Sequence, residues 1–277
     1  MSGPGAASGA GEASGSERIA AAFQAARADG RRAALMPYLM AGYPDLERSR
    51  EIARAYVEGG ADLIELGVPF SDPLADGPVI HAADVAALAA GATVTDALSV
   101  VRAVDDGVPV VVMCYANLIL ARGLERFADL LADVGASGLI VPDLPLEEAP
   151  ATRAALDARG LALVPLAAPT TPDQRLARIG ASARGFVYTV SVTGTTGERD
   201  ANDETLPEML RRVRAHTDLP VAAGFGIGTP AQAAAAARAG ADGVIIGSRL
   251  VRAAGETASP SRALRALVGE FAAALAS

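Results

Sequence analysis

The sequence predicts a single (β/α)8 TIM barrel with one helix added before it, and three observations predict it. The 277 residues suit one such domain, since α/β barrels run to about 250 residues. From Leu35 onward, short apolar runs alternate with helical segments, and most runs are continuously apolar, as parallel strands buried on both faces should be. A weak repeat marks the places where a helix should end and a strand begin: Glu58-Gly-Gly-Ala-Asp62, Val134-Gly-Ala-Ser137, Ile179-Gly-Ala-Ser182 and Ala239-Gly-Ala-Asp242. In each, glycine supplies a left-handed helix cap and a short polar residue turns the chain. The alternative is an open doubly wound sheet, but no GxGxxG follows the first strand.

The elements follow in order. Residues 1–16 are mostly Gly, Ala and Ser, with neither the basic start nor the apolar stretch of a signal peptide. That composition predicts a flexible tail, with the barrel domain over 17–277. A capped helix is expected from Ser16, presenting Ile19, Phe23 and Ala26 on one face. Strands are expected at Leu35–Ala41, Ala61–Leu66, Pro109–Cys114, Ser137–Val141, Leu161–Leu166, Gly185–Val190, Pro220–Ala223 and Gly243–Ile246. Asp45 should cap a helix over Leu46–Glu58. Thr171-Pro172 and Thr229-Pro230 each place a capping hydroxyl before a proline at the first helical position. The long uncharged run Leu219–Ala237 reads as strand, turn and Ala-rich helix, not as a membrane span.

Composition excludes whole classes of chemistry. Every basic residue is arginine, so neither a Schiff-base lysine nor a P-loop lysine exists. Two histidines, His81 and His216, and one cysteine, Cys114, poorly supply a metal site or a Ser-His-Asp triad. Cys114 reads as core packing, His81 as a helix-surface residue, and His216 with Arg211, Arg212 and Arg214 as a solvated helix end. The net charge of −8 argues against nucleic acid or an anionic membrane as the main partner. With one cysteine and no export signal, a cytoplasmic location is expected. Carboxylates, hydroxyls and backbone groups are left to do the chemistry.

In a barrel these should stand just past the carboxyl ends of the strands. Glu65 lies inside an apolar strand between Ile64 and Leu66. A carboxylate facing the barrel mouth should have a raised pKa suited to acid–base work; the alternative is a structural pair with an arginine. Asp76 ends a loop stiffened by Pro69, Pro73 and Pro78, where it reads as a second carboxylate or as a turn residue. Gly224-Phe-Gly-Ile-Gly228 and Gly247-Ser248 follow strands seven and eight, the usual place for a phosphate held by backbone N–H groups. Ser191–Glu204 reads as a lid, or as an ordinary surface loop.

The Glu65–Gly77 segment closely resembles the signature of the tryptophan synthase alpha chain family. Tyr115-Ala-Asn-Leu118, Pro142-Asp-Leu-Pro145, Ser191–Gly197, Gly224-Phe-Gly226 and Gly247-Ser248 resemble it in the same order, from about Ser16 to the C-terminus. The resemblance implies aldol cleavage of indole-3-glycerol phosphate to indole and glyceraldehyde 3-phosphate. It implies Glu65 as catalytic acid/base and Asp76 as the carboxylate meeting the indole N–H. Gly197, Gly226, Gly247 and Ser248 match phosphate-binding positions. Tyr38, Ile140, Tyr188, Phe225 and Ile245 match positions around the indole and its glycerol chain, and Thr196 matches a lid threonine. Val192, where many relatives carry Arg, and Met113, where they carry an aliphatic residue, depart from the pattern.

The resemblance further implies no metal or cofactor on this chain, pyridoxal phosphate being expected only on a partner beta chain that receives the indole. Loops Ser71–Pro73, Tyr115–Leu118 and Asp143–Pro145 are the expected docking surface. The other readings are a free-standing lyase and a chiefly regulatory subunit that activates the beta chain.

Overall fold

The computed structural model describes residues 13–104, 107–190, 205–224, 226–257 and 259–276. Nine parallel strand segments alternate with helices. In chain order the strands are β1 (Ala34–Met40), β2 (Ile64–Gly67), β3 (Val110–Met113), β4 (Gly138–Ile140), β5 (Ala162–Val164), β6 (Leu166–Ala167), β7 (Val187–Val190), β8 (Val221–Gly224) and β9 (Gly243–Ile246). The helices that matter below are α1 (Gly15–Ala28), α2 (Leu46–Glu58), α3 (Pro78–Ala89), α8 (Asp173–Ser182), α10 (Pro230–Arg238) and α11 (Ser248–Gly255).

The sheet order is β5-β4-β3-β2-β1-β9-β8-β7-β6. Its two ends, β5 and β6, are consecutive pieces of one strand interrupted by Pro165, which has no N–H for the ladder. β5 pairs with β4 and β6 with β7, while the Pro165 carbonyl accepts from the Tyr188 N–H at 3.0 Å. One strand thus changes partner across a proline, and the ring is that of an eight-stranded barrel. The expected unbroken strand Leu161–Leu166 is corrected accordingly.

Pleat alternation divides the core in two. Leu35, Leu39, Ile64, Leu66, Val112, Leu139, Val187 and Val244 point outward into the layer beneath the helices. Met36, Tyr38, Leu63, Val111, Ile140, Val164, Tyr188 and Ile245 fill the barrel interior. Both layers are buried, which is why the strands read as continuous apolar runs.

Helix α1 closes the amino-terminal end of the barrel. Its cap lies two residues earlier than expected: Ser14, not Ser16, accepts from the Glu17 N–H while Glu17 reaches back to the Ser14 N–H at 2.7 Å. Ile19 and Phe23 enter the interior cluster, Phe23 against Phe186 with ring centroids 5.9 Å apart. Three of the four repeat positions work as the sequence suggests, with Gly60, Gly135 and Gly240 at positive φ. Their polar residues fasten the strand starts: Asp62 accepts from the Leu35 N–H and Arg31, Ser137 from Arg18, and Asp242 from the Val221 N–H, Arg27 and Arg214.

The fourth repeat, Ile179–Ser182, ends its helix at Ser182 but not through its glycine. Gly180 lies inside α8, where a Cβ would meet the His216 carbonyl at 1.9 Å, and the positive φ falls on Gly185 instead. Of the two Thr-Pro caps, Thr229 forms a capping box with Gln232 at the start of α10. Thr171 does not cap α8; its Oγ1 accepts from the Ala168 N–H, and Pro172 holds the cap position. The arginines near His216 are likewise not merely solvated, since Arg212 bridges to Asp173 and Arg214 to Asp242. Cys114 is buried and His81 exposed, as read from the sequence. Among the described residues no single helix is long and apolar enough to cross a membrane.

Candidate active site

The carboxyl end of the barrel holds a cavity lined by Tyr38, Glu65, Ala75, Asp76, Ile80, Met113, Pro142, Leu166, Tyr188, Gly226, Ile227, Ile245, Gly247 and Ser248. Strands β1, β2, β7 and β9 supply its floor through Tyr38, Glu65, Tyr188 and Ile245, each at an inward-facing position of its pleat. The two tyrosines lie across neighbouring strands. A Cβ on Gly67 would sit 1.9 Å from the Tyr38 hydroxyl, and one on Gly224 would sit 2.4 Å from that of Tyr188. Glycine at those two strand ends lets each ring fold flat over its neighbour and leave the mouth open.

Glu65 is 1% exposed, its Oε2 has no hydrogen-bond partner, and no ion pair reaches it among the described residues. Burial, reinforced by the negative charge of Asp76, pushes its carboxyl up to about 8. Among the described residues no arginine forms the structural bridge that is the alternative, and the raised pKa holds Glu65 as a neutral acid near pH 7. Asp76 is also raised by burial, but less freely: the Tyr115 hydroxyl donates to its Oδ2 at 3.0 Å, and His81 favours its charged form. Two carboxyl groups in one cavity are thus given different environments, the arrangement by which proteins separate an acid from a carboxylate.

Loop 70–76 is fastened at both ends. The Phe70 N–H donates to Asp84 Oδ1 of α3 at 3.1 Å, and the Ala75 N–H donates to the Tyr115 oxygen at 3.0 Å. The Phe70 and Tyr115 rings stack with centroids 5.1 Å apart. Neither Tyr115 nor Asp84 is identified as a site residue by the sequence reading. Tyr115 stands two residues beyond β3, where a search past each strand end would find it. Asp84 sits four residues after Ile80 on the apolar face of α3, and a carboxylate on such a stripe is a signal in its own right.

Just beyond β8 and β9, Gly226 has φ +78°, a conformation that favours glycine, and Gly247 caps the first turn of α11. The first N–H groups of a helix have no intrahelical partner, and the residues at this helix start, Gly247 and Ser248, line the cavity. Of the residues expected in the site, Tyr38, Glu65, Asp76, Tyr188, Ile245, Gly226, Gly247 and Ser248 line this one cavity. Ile140 is fully buried in the interior cluster and does not line the cavity, where Pro142 from the same strand end stands instead. Thr196, Gly197, Phe225 and the expected lid Ser191–Glu204 lie outside the described residues. Among the described residues no cluster of three or more His, Cys, Asp or Glu could hold a metal ion.

Comparison with known proteins adds the lineage. The family model described as tryptophan synthase alpha chain matches residues 23–275. The tryptophan synthase alpha chain of Prochlorococcus marinus is 49% identical over 236 residues, covering 84% of this chain and 86% of the relative. That of Methanosarcina mazei is 46% identical over 238 residues, covering 86% and 87%. Tryptophan synthase from Mycobacterium tuberculosis superposes with a TM-score of 0.87 at 45% identity, over 95% of this chain and 99% of that one. A chain of the Pyrococcus furiosus tryptophan synthase α2β2 complex superposes at 0.81 with 37% identity, over 86% and 97%. A match across nearly the whole length, in sequence and in fold, places the chain in the tryptophan synthase alpha chain family.

Proposed function

We propose that this chain is the alpha subunit of a tryptophan synthase and a carbon–carbon lyase. Its reaction is the retro-aldol cleavage of indole-3-glycerol phosphate. The observation that carries the reading is the pairing, in one largely apolar cavity, of a neutral buried Glu65 with a hydrogen-bonded Asp76 and the Gly247–Ser248 helix start.

A retro-aldol step needs an electron sink for the breaking C–C bond. Lysine aldolases form an iminium, and this chain has no lysine. Indole is its own sink. Glu65 gives its proton to ring carbon C3, the positive charge moves to the ring nitrogen, and the Asp76 carboxylate stabilises the N–H as that charge develops. The C3–glycerol bond then breaks, its electrons restoring the aromatic ring. The Glu65 carboxylate takes the proton of the adjacent glycerol hydroxyl, and the aldehyde forms. Atoms and charge balance with Glu65 returned to its starting state, so the chain requires no metal or cofactor of its own.

Tyr38, Tyr188 and Ile245 supply the apolar walls for the ring. Backbone N–H groups about Gly226, Gly247 and Ser248 hold the phosphate, with Gly197, Thr196 and Phe225 completing the site from the neighbouring loops. Ile140 acts by supporting the wall from within.

A beta chain docks on this same face and receives the indole, pyridoxal phosphate belonging to that partner. Leu74 is 80% exposed and Leu120 70%, and both lie on or beside the proposed docking loops. A cytoplasmic location is part of this reading, and the single, buried cysteine fits it.

The test is indole release from indole-3-glycerol phosphate by the purified chain, with EDTA and without, alone and with its cognate beta chain. Metal-independent release that rises on adding the beta chain is expected. Release that ignores the partner would mark a free-standing lyase, and no release in either case would overturn the reading.

A further inference from the structure

Asp84 has no role in the chemistry above, yet it is 1% exposed, carries an Oδ2 with no hydrogen-bond partner, and lies close enough to Asp76 to feel its charge. An unpaired buried carboxylate costs stability, so its presence on the apolar face of α3 calls for a compensating use. Among the described residues the one hydrogen bond of its carboxylate is accepted from the Phe70 N–H at 3.1 Å. Phe70 in turn stacks on Tyr115 with ring planes 25° apart, and the Tyr115 hydroxyl donates to Asp76 Oδ2 at 3.0 Å. The contacts run in series from the helix behind the site to the carboxylate in it.

We propose that Asp84 is a positioning residue for the retro-aldol step: by holding the Phe70 backbone it sets the Phe70–Tyr115 stack, and through it the orientation of Asp76 toward the ring nitrogen. The inference rests on the reaction proposed above. Phe70 is only partly buried, and its loop is fastened to the rest of the site by Asp84 at one end and Tyr115 at the other. Without the Asp84 contact the loop's first residue loses its link to α3. The stack would loosen, and Tyr115 would then hold Asp76 in a spread of orientations. α3 also packs against α11, the helix that starts beside Gly247, but the Asp84 carboxylate contacts the Phe70 loop, so its loss should fall on kcat more than on KM.

The experiment uses the full chain and indole-3-glycerol phosphate, with wild-type cleavage as the control. If the wild type releases no indole, the reaction itself is wrong; if it does, the variants judge the relay. Asp84→Ala should lower kcat about tenfold, because small misplacements of a reacting group are costly, with KM changed less than about twofold. Asp84→Asn keeps an oxygen for the Phe70 N–H and should restore most of the rate. Phe70→Leu removes only the stack and should match Asp84→Ala. Adding Asp84→Ala to Tyr115→Phe should cost nothing further, since both cut one series of contacts. A wild-type kcat in Asp84→Ala or Phe70→Leu overturns the proposal. So does an Asp84→Asn as slow as the alanine variant, or a double variant whose losses multiply. If Asp84→Ala does not fold, the Asn and Phe70 variants carry the decision alone.

Discussion

The two ends of this barrel are built from the same eight-stranded ring and treat carboxylates in opposite ways. At the amino-terminal end, Asp62 and Asp242 each meet an arginine and a strand N–H, and α1 seals the opening with Ile19 and Phe23. At the carboxyl end, Glu65 and Asp84 are buried and Asp76 half-buried, none with an arginine among the described residues, and Glu65 and Asp84 each keep an oxygen with no partner. The difference is not one of burial alone: burial raises Asp62 too, but its ladder and Arg31 contacts pull the other way. The closed end spends its carboxylates on structure. The open end keeps them uncompensated, which costs stability and leaves groups whose protons can move.

The largest effect should come from removing that chemistry. Glu65→Gln should lower cleavage by about 10²–10⁴-fold while a substrate analogue still binds, since it deletes proton transfer with little change of shape. Asp76→Asn should be comparably severe. Near wild-type turnover in Glu65→Gln would mean that the open end's acid is another residue.

The same variant should gain stability. The Glu65 pKa, raised from 4.5 to about 8, means that the folded protein holds a proton the unfolded chain releases. Stability is therefore fully present below pH 4.5, falls as pH rises, and its loss is complete above about 8. Glu65→Gln removes that loss and should be more stable than wild type by about 3–5 kcal/mol at pH 9, with the gap closing toward pH 4.5. Parallel urea-denaturation profiles across that range would show that Glu65 ionises freely and that the contrast between the ends is false.

The closed end should answer inversely. Asp242→Ala leaves the Val221 N–H without its acceptor and Arg27 and Arg214 without their shared carboxylate. A loss of about 1–3 kcal/mol is expected, the arginines being roughly half exposed, with kcat per folded molecule unchanged. A fall in kcat at constant stability would show that the two ends are coupled.

Much of the molecule is legible in the chain alone, for a local reason. Strand and helix order follow from apolar runs and caps, whose signals lie within a few residues of the element they make. Glu65 stands out because a carboxylate between Ile64 and Leu66 violates the pattern of its own strand. The missed features depend on partners far along the chain. Gly180 is required by a carbonyl at residue 216 rather than by a helix end, and Thr171 turns back to Ala168 rather than forward to α8. Pro165 reads as the edge of a strand, and only ring closure turns it into the point where one strand changes neighbours. Tyr115 acquires its function from Asp76, 39 residues earlier, and Asp84 from Phe70 and the walls that exclude water from both. Local chemistry selects the elements because hydrogen bonds and periodicity act over one or two turns. Desolvation is set by everything that packs around a group, so the pKa of Glu65 and the use of Asp84 exist only once the barrel has closed.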